Sequence, residues 1–566
     1  MLLRIALRVE SPLVQRVSWS WPPLAAAIVG FAWFLRIGAW HTLDVTNLDW
    51  LLRGDWAQHL LGWLMFRNEP WRFPIGTLSD ALYPVGATTG YMDANPIVST
   101  LLKPFSAILP SDFQFIGPWL ALCFTLQGYM GAKLTALMTD RPVHQWLGGC
   151  LFAMSPVLVW RVGHDTLCAH WIILALLLIG LRPNADARSA RRGLTLCVGL
   201  VLLASGIHPY LAAMAWVLTM AFAVRLAIER RHVALAGLGW WAAGCTLAML
   251  ATFVLFGYVG RAGLGGPGAG EIASDLLALV NPMGMSHLLP RLAGPFEAEG
   301  FAFLGLGGLI ACVIGVIVII QRRILPGTQG LPVVVASVLL ALFACAPVIR
   351  AGGHPLITMQ RAFALLAPVV APFRSTGRFI WPLHYVVLAG GVWGCVRVFP
   401  ARRHAATALL ACILVVQALD TDTSVAVFDP TGLVQSSMTE WAPAVGHYRH
   451  IALVPMRVLG VCGPTPVPHE GVYRYMLLAY RARMTFNSGV FARIPVDAVR
   501  DACHALELAV ESGPLDPQTI YVVAPEYLDR MRDAKAVCGR IDGDWICVDA
   551  HAGAAFRTYL ATGRAQ

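Results

Sequence analysis

The sequence predicts an α-helical polytopic membrane protein of about eleven transmembrane helices with a small C-terminal α/β domain. Three observations predict it. Of 566 residues, 57% are hydrophobic and only 13% charged, with a mean hydropathy of +0.63. Soluble domains carry about 25% charged residues, so this chain could not cover its own surface against water. The apolar residues fall in runs of about 18–25 separated by short Arg-rich or Gly/Pro/His-rich breaks, the pattern of spanning helices rather than barrel strands. After residue 420 that pattern gives way to short β-branched runs and amphipathic stretches. Soluble enzymes, nucleic-acid binders and outer-membrane pores are excluded as readings of the whole chain.

Membrane helices are expected at 22–40, 113–137, 146–160, 168–182, 193–207, 209–225, 234–257, 302–320, 332–349, 379–397 and 404–420. The first is too long for a signal peptide and lacks a small-residue cleavage site, so it reads as an anchor. With loops counted on alternate sides, one face receives 17 basic residues against four acidic ones. By the positive-inside rule that face, with the N-terminus, is cytoplasmic. Residues 1–420 form the membrane domain, and its long loops, 41–112, 258–301 and 350–378, lie on the outer face. An odd helix count also sends residues 421–566 outside, as a periplasmic α/β domain with strands at Ile451–Val454 and Thr519–Val523 and helices at Val496–Ser512 and Pro525–Ala536. That segment holds 13 basic and 15 acidic residues, which leaves 29 and 17 in residues 1–420. The net charge of +10 therefore encodes orientation, and nucleic acid is not an expected partner. Nine of the 13 cysteines precede residue 421, where a thiol acts as a small hydrophobe. Cys462, Cys503, Cys538 and Cys547 can form disulfides only if the tail is extracytoplasmic.

Function is expected on the outer loops, because loops held by a rigid scaffold usually carry it. The strongest signal is the segment from Asp49 to Trp63. Read as a helix, it sets Asp55, Gln58 and His59 at i, i+3 and i+4 on one face, with Trp56, Leu60 and Trp63 beside them. This predicts an interfacial helix with a polar edge, whose carboxylate either works on a substrate or merely faces water.

Gly54-Asp55-Trp56-Ala57-Gln58-His59, Tyr83-Pro84-Val85-Gly86, Tyr91-Met92-Asp93-Ala94-Asn95-Pro96, His208-Pro209-Tyr210 and Phe373-Arg374-Ser375-Thr376-Gly377-Arg378-Phe379 resemble an uncharacterised bacterial family of the GT-C superfamily. That superfamily comprises integral-membrane glycosyltransferases that use polyprenyl-phosphate sugars. The resemblance runs through most of residues 40–385 and fades in the tail. It implies a bacterial inner-membrane enzyme that transfers sugar, with inversion, from a polyprenyl-phosphate donor to a cell-envelope glycan, lipid or protein on the periplasmic side. Asp55 then fits the base that takes the acceptor proton. The leaving phosphate needs cationic donors, and Arg374 and Arg378 stand four apart at the outer mouth of the tenth helix, if that helix begins so early. Marking the headgroup boundary is their other reading.

Asp93, in a Gly/Pro-rich outer segment, is the second candidate acid or a turn aspartate. His164, Asp165 and His170 form a third cluster at a short outer turn. With Asp55 and Asp93 they could hold a divalent metal, although no ligand spacing such as His-Glu-x-x-His is present. His208, before Pro209, either meets substrate or satisfies a helix end. Trp50, Trp56, Trp63, Trp71 and Trp381 are expected in an interfacial belt. The glycine cluster 260–270 lacks the Lys-Ser/Thr of a phosphate-binding loop and reads as a flexible cover. A flippase of lipid-linked glycan is the rival class, but transporters carry internal repeats and mid-membrane charges, which are not seen here. A non-catalytic glycan-assembly protein is the third reading.

Overall fold

The computed structural model describes residues 20–38, 40–229, 233–259, 272–292, 294, 298–322, 330–365, 370, 372–399, 402–424, 428, 436, 438–458, 461–462 and 469–562. The glycine cluster 260–270 thus lies outside the described residues. Seven described helical stretches are long and apolar enough to cross a membrane: Trp21–Gly38, Pro142–Gly163, Ala187–Ile207, Pro209–Glu229, Leu235–Leu255, Thr376–Arg397 and Arg403–Asp420. Asp165–Leu181, Leu306–Arg322 and Leu331–Cys345 are apolar but shorter. The remaining expected span is the 20-residue helix Ile116–Thr135, whose hydropathy is lowered by Gln127 and Lys133.

Sequence chemistry sets the ends of these helices. Pro156 cannot donate a backbone hydrogen bond and its ring crowds the preceding turn, so the run expected as one helix stops at Ala153 and restarts at Pro156. Asp186 and Ser189 form a reciprocal capping box at the start of Ala187–Ile207. Close packing depends on missing side chains. A Cβ at Gly30 would lie 2.2 Å from the Phe124 carbonyl oxygen, and one at Gly128 would lie 2.2 Å from that of Ala26. Trp21–Gly38 and Ile116–Thr135 can touch backbone to backbone only because those positions are glycine.

The first long loop, residues 41–112, is a folded layer rather than a flexible connection. It holds the helix Gly54–Asn68, the two-residue strands β1 (Thr77–Leu78) and β2 (Ala87–Thr88), and the helix Pro96–Leu102. A hairpin of β3 (Val348–Ala351) and β4 (His354–Thr358) projects from the third loop. The tail carries β5 (His450–Val454), β6 (Thr485–Phe486), β7 (Thr519–Val523), β8 (Ala536–Ile541) and β9 (Asp544–Asp549) in the order β6-β5-β7-β9-β8. β5 runs parallel to β6 and β7, while β9 is antiparallel to β7 and β8. The expected helix Pro525–Ala536 is shorter than its pattern: a single turn at Pro525–Tyr527 leads into Leu528–Asp533, and Ala536 already begins β8. Cys462 is bonded to Cys503 and Cys538 to Cys547.

The tail lies directly on the first loop. Tyr83 donates its backbone N–H to Phe486, and Phe486 donates to Asp80. The Tyr473 hydroxyl donates to the Gly54 carbonyl at 2.9 Å, and Arg481 pairs with Asp112 at 2.9 Å. Under this cover the helix Gly54–Asn68 is buried from Trp56 to Arg67, which corrects the expectation of an interfacial helix. The tryptophan belt is corrected for the same reason: Trp50, Trp63 and Trp381 are wholly buried and Trp56 nearly so, leaving Trp71 exposed.

Candidate functional site

Gly54, at φ +52°, is extended Arg53's link into the helix, a left-handed step that a side chain would strain. The turn leaves Asp55 exposed at the helix start while His59, one turn on, is 1% exposed. The two share a helix face, as the spacing predicts, but the first lies at the uncovered helix start and the second is covered. Gln58 is also buried and makes none of the described contacts to the histidines.

His59 points into a group assembled from four segments. Its Nδ1 bonds to the Asp165 carboxylate, 106 residues away and 1% exposed. Its Nε2 is buried and has no hydrogen-bond partner. Ligand atoms of His59, Asp93 and His164 all lie within 4.8 Å of one another. His164 Nε2 is 3.6 Å and His208 Nε2 3.7 Å from the two oxygens of Asp93. The His59 and His164 rings lie 4.6 Å apart, and those of His164 and His208 5.3 Å apart. Asp93 adopts a left-handed φ of 49°, a conformation that aspartate enters more easily than most residues.

Electrostatics divides the histidines. Burial opposes protonation of His59, but the charge and hydrogen bond of Asp165, with Asp93 and Asp55 beyond, outweigh it and raise the ring's pKa. Burial, assisted by neighbouring His59, pushes His164 well below its ordinary value. His208 is also driven well down by burial, against the pull of Asp93. Asp55, one helical turn before His59, adds to the negative field that favours the protonated His59 ring.

The arginines require a correction. The tenth predicted helix begins at Trp381, not near Arg374, because Thr376–Ile380 winds as a 3₁₀ turn. Arg374 sits in a bend before that turn, half-buried, and does not share a helical face with Arg378. Arg378 is buried and already paired: its Nε donates to Glu299 at 2.6 Å and its guanidinium lies 4.7 Å from the Tyr210 ring centre. Arg161 donates to the same Glu299 oxygen at 2.8 Å. Burial alone would raise the Glu299 carboxyl, but the two guanidiniums hold it well below the usual range.

His170 is corrected as well. Its Nδ1 shares a hydrogen bond of 2.7 Å with the Tyr385 hydroxyl, and its ring packs 4.3 Å from Trp381. It belongs to the helix bundle rather than to the Asp93 group. Of the residues expected to gather round a metal, Asp93 and His164 come together, joined by His59; Asp165 stands behind His59, and Asp55 stands outside.

Glu299, Arg161 and Tyr473 carry no motif in the sequence, and Tyr210 stands there only as the last residue of the His208-Pro209-Tyr210 motif. One signal was legible: arginines in apolar runs need a counter-ion, and Glu299 in the facing loop supplies it.

The family model described as a domain of unknown function, DUF6311, matches residues 27–422, and the DUF6311 C-terminal domain matches 440–549. No curated protein matches the chain. Among solved structures, the chain is similar to ArnT from Cupriavidus metallidurans in the apo state, at 11% identity and a TM-score of 0.47, over 92% of this chain and 98% of that one. For the same protein bound to undecaprenyl phosphate the TM-score is 0.44, at the same identity and coverage. At this level the likeness is one of outline, so the functional reading rests on the site residues.

Proposed function

The chain belongs to the DUF6311 family, and from that premise we propose that it is an inverting glycosyltransferase of the bacterial inner membrane. It takes a sugar from a polyprenyl-phosphate donor and passes it to a cell-envelope glycan, lipid or protein on the periplasmic side. One observation carries this reading: an exposed carboxylate, Asp55, precedes by one helical turn His59, which belongs to a buried group of three histidines and Asp93. Asp55 takes the acceptor proton as the acceptor attacks the anomeric carbon, and the sugar–phosphate bond breaks on the opposite side. Half-buried Arg374, which has no described ion-pair partner, is the cation for the leaving phosphate. Arg378 acts as a positioning residue, because Glu299 already takes its charge.

The two tail disulfides support an oxidising side for residues 421–566, since such bonds persist outside the cytoplasm. Membrane and outer domains divide near residue 420, where the helix Arg403–Asp420 ends.

The test is transfer from a radiolabelled lipid-linked donor by purified protein, with donor binding measured in parallel. Asp55→Asn should lose about 10²–10⁴ in rate while still binding donor, as expected on loss of a general base. Near-normal turnover in that variant would remove the base.

A further inference from the structure

We propose that His59, Asp93 and His164 form a binding site for one divalent transition-metal ion, zinc or manganese in class, with Asp165 and His208 as positioning residues. The binding itself is independent of sugar transfer; the ion's place beside a donor phosphate rests on that reading.

Three observations carry the proposal. First, the donor set is right: two imidazoles and one carboxylate make a catalytic-type set that leaves positions open for water or substrate. Second, the spacing suits an ion better than hydrogen bonds. His164 Nε2 and Asp93 stand 3.6 Å apart, beyond a normal hydrogen bond. Two ligands each about 2.1 Å from a tetrahedral ion stand about 3.4 Å apart. Third, His59 Nε2 is buried and unpartnered, while its Nδ1 is bound by the Asp165 carboxylate. A carboxylate on the remote nitrogen of a ligating histidine fixes the tautomer and orients the ring toward the metal.

His208 is excluded as a ligand by its own hydrogen bond. The Tyr210 backbone N–H donates to His208 Nδ1 at 3.2 Å, so the ring proton sits on Nε2. That nitrogen stands 3.7 Å from Asp93, too far for a hydrogen bond, so its N–H acts on the carboxylate only as a nearby dipole.

The test uses the full chain, purified in lipid nanodiscs without a polyhistidine tag, stripped with a chelator and dialysed against zinc or manganese chloride alone. Metal analysis should return one ion per chain, and the same ion should raise the thermal midpoint saturably. His59→Gln and His164→Gln should each weaken ion affinity by at least tenfold. Asp165→Asn should weaken it by about 10–100-fold, the usual effect of removing such a partner, and His208→Gln should weaken it less than either ligand change. His551→Ala, on an exposed tail histidine, should change nothing. No ion retained by the unmodified chain, with no midpoint shift in either salt, overturns the proposal, as does equal binding by the His59→Gln and His164→Gln chains.

Discussion

Two groups of buried histidines invite comparison. His59, His164 and His208 meet carboxylates, Asp165 and Asp93. His170 and His384 meet neutral groups: His170 faces the Tyr385 hydroxyl, while His384 bonds to Ser155 Oγ at 2.9 Å and to the Ala302 carbonyl at 2.8 Å. Burial does not separate the groups, because all five rings are at most 9% exposed. Charge does. Neutral partners satisfy a histidine inside a helix bundle at modest gain, whereas a carboxylate is costly to bury unless something repays the desolvation. The first group is therefore the candidate site, and the second serves packing. Their positions agree, since the first draws on the first long loop and on helix-joining turns and the second packs within the helix bundle.

Three changes sharpen the contrast, in falling order of effect. Glu299→Gln leaves Arg161 and Arg378 buried without their counter-ion and should cost about 3 kcal/mol of stability, measured by denaturation in detergent. Because the folded carboxyl is held below the ordinary glutamate pKa of about 4.3, its contribution is present above that range. It is lost as the pH falls through the folded value. The Gln variant should accordingly show a flatter acid limb, and an unchanged limb would detach Glu299 from the arginines. Tyr385→Phe strips His170 of its hydroxyl partner and should cost about 1–3 kcal/mol, with donor affinity untouched. A change in donor affinity would move the second histidine group into the site. Tyr473→Phe removes the bond to the Gly54 carbonyl, and about 0.5–1.5 kcal/mol corresponds to roughly a tenfold loss of turnover or less. Turnover equal to the unmodified protein would free the base from its hold by the tail.

Much of the scaffold was legible, because hydropathy is a local property and the expected runs are helices. The candidate acids were legible too: Asp55 and Asp93 stand in first-loop motifs that can be read without knowing the fold. The partnerships were not. The bond from His59 to Asp165 joins positions 106 residues apart, and the pair of Arg378 with Glu299 spans 79. Neither leaves a trace in local spacing. His170 was grouped with His164 because it is six residues away, yet the intervening turn at Asp165–Cys168 sends it into the bundle. Arg374 and Arg378 misled for a related reason, since helical spacing means nothing where the chain has not yet become an α-helix.

The seat of the tail on the first loop has a consequence for biosynthesis. The bond from Tyr473 to Gly54 spans 419 residues. Chains emerge from the ribosome at about 5–20 residues per second, N-terminal segments first. The loop bearing Asp55 is therefore made tens of seconds before the segment that braces it. Such long-range closure is slow to form and is paid for late in folding. A chain cut short after the last membrane helix would carry every residue of the buried cluster and still lack the brace at Gly54, so assembly of the site reports that translation has run through to the tail.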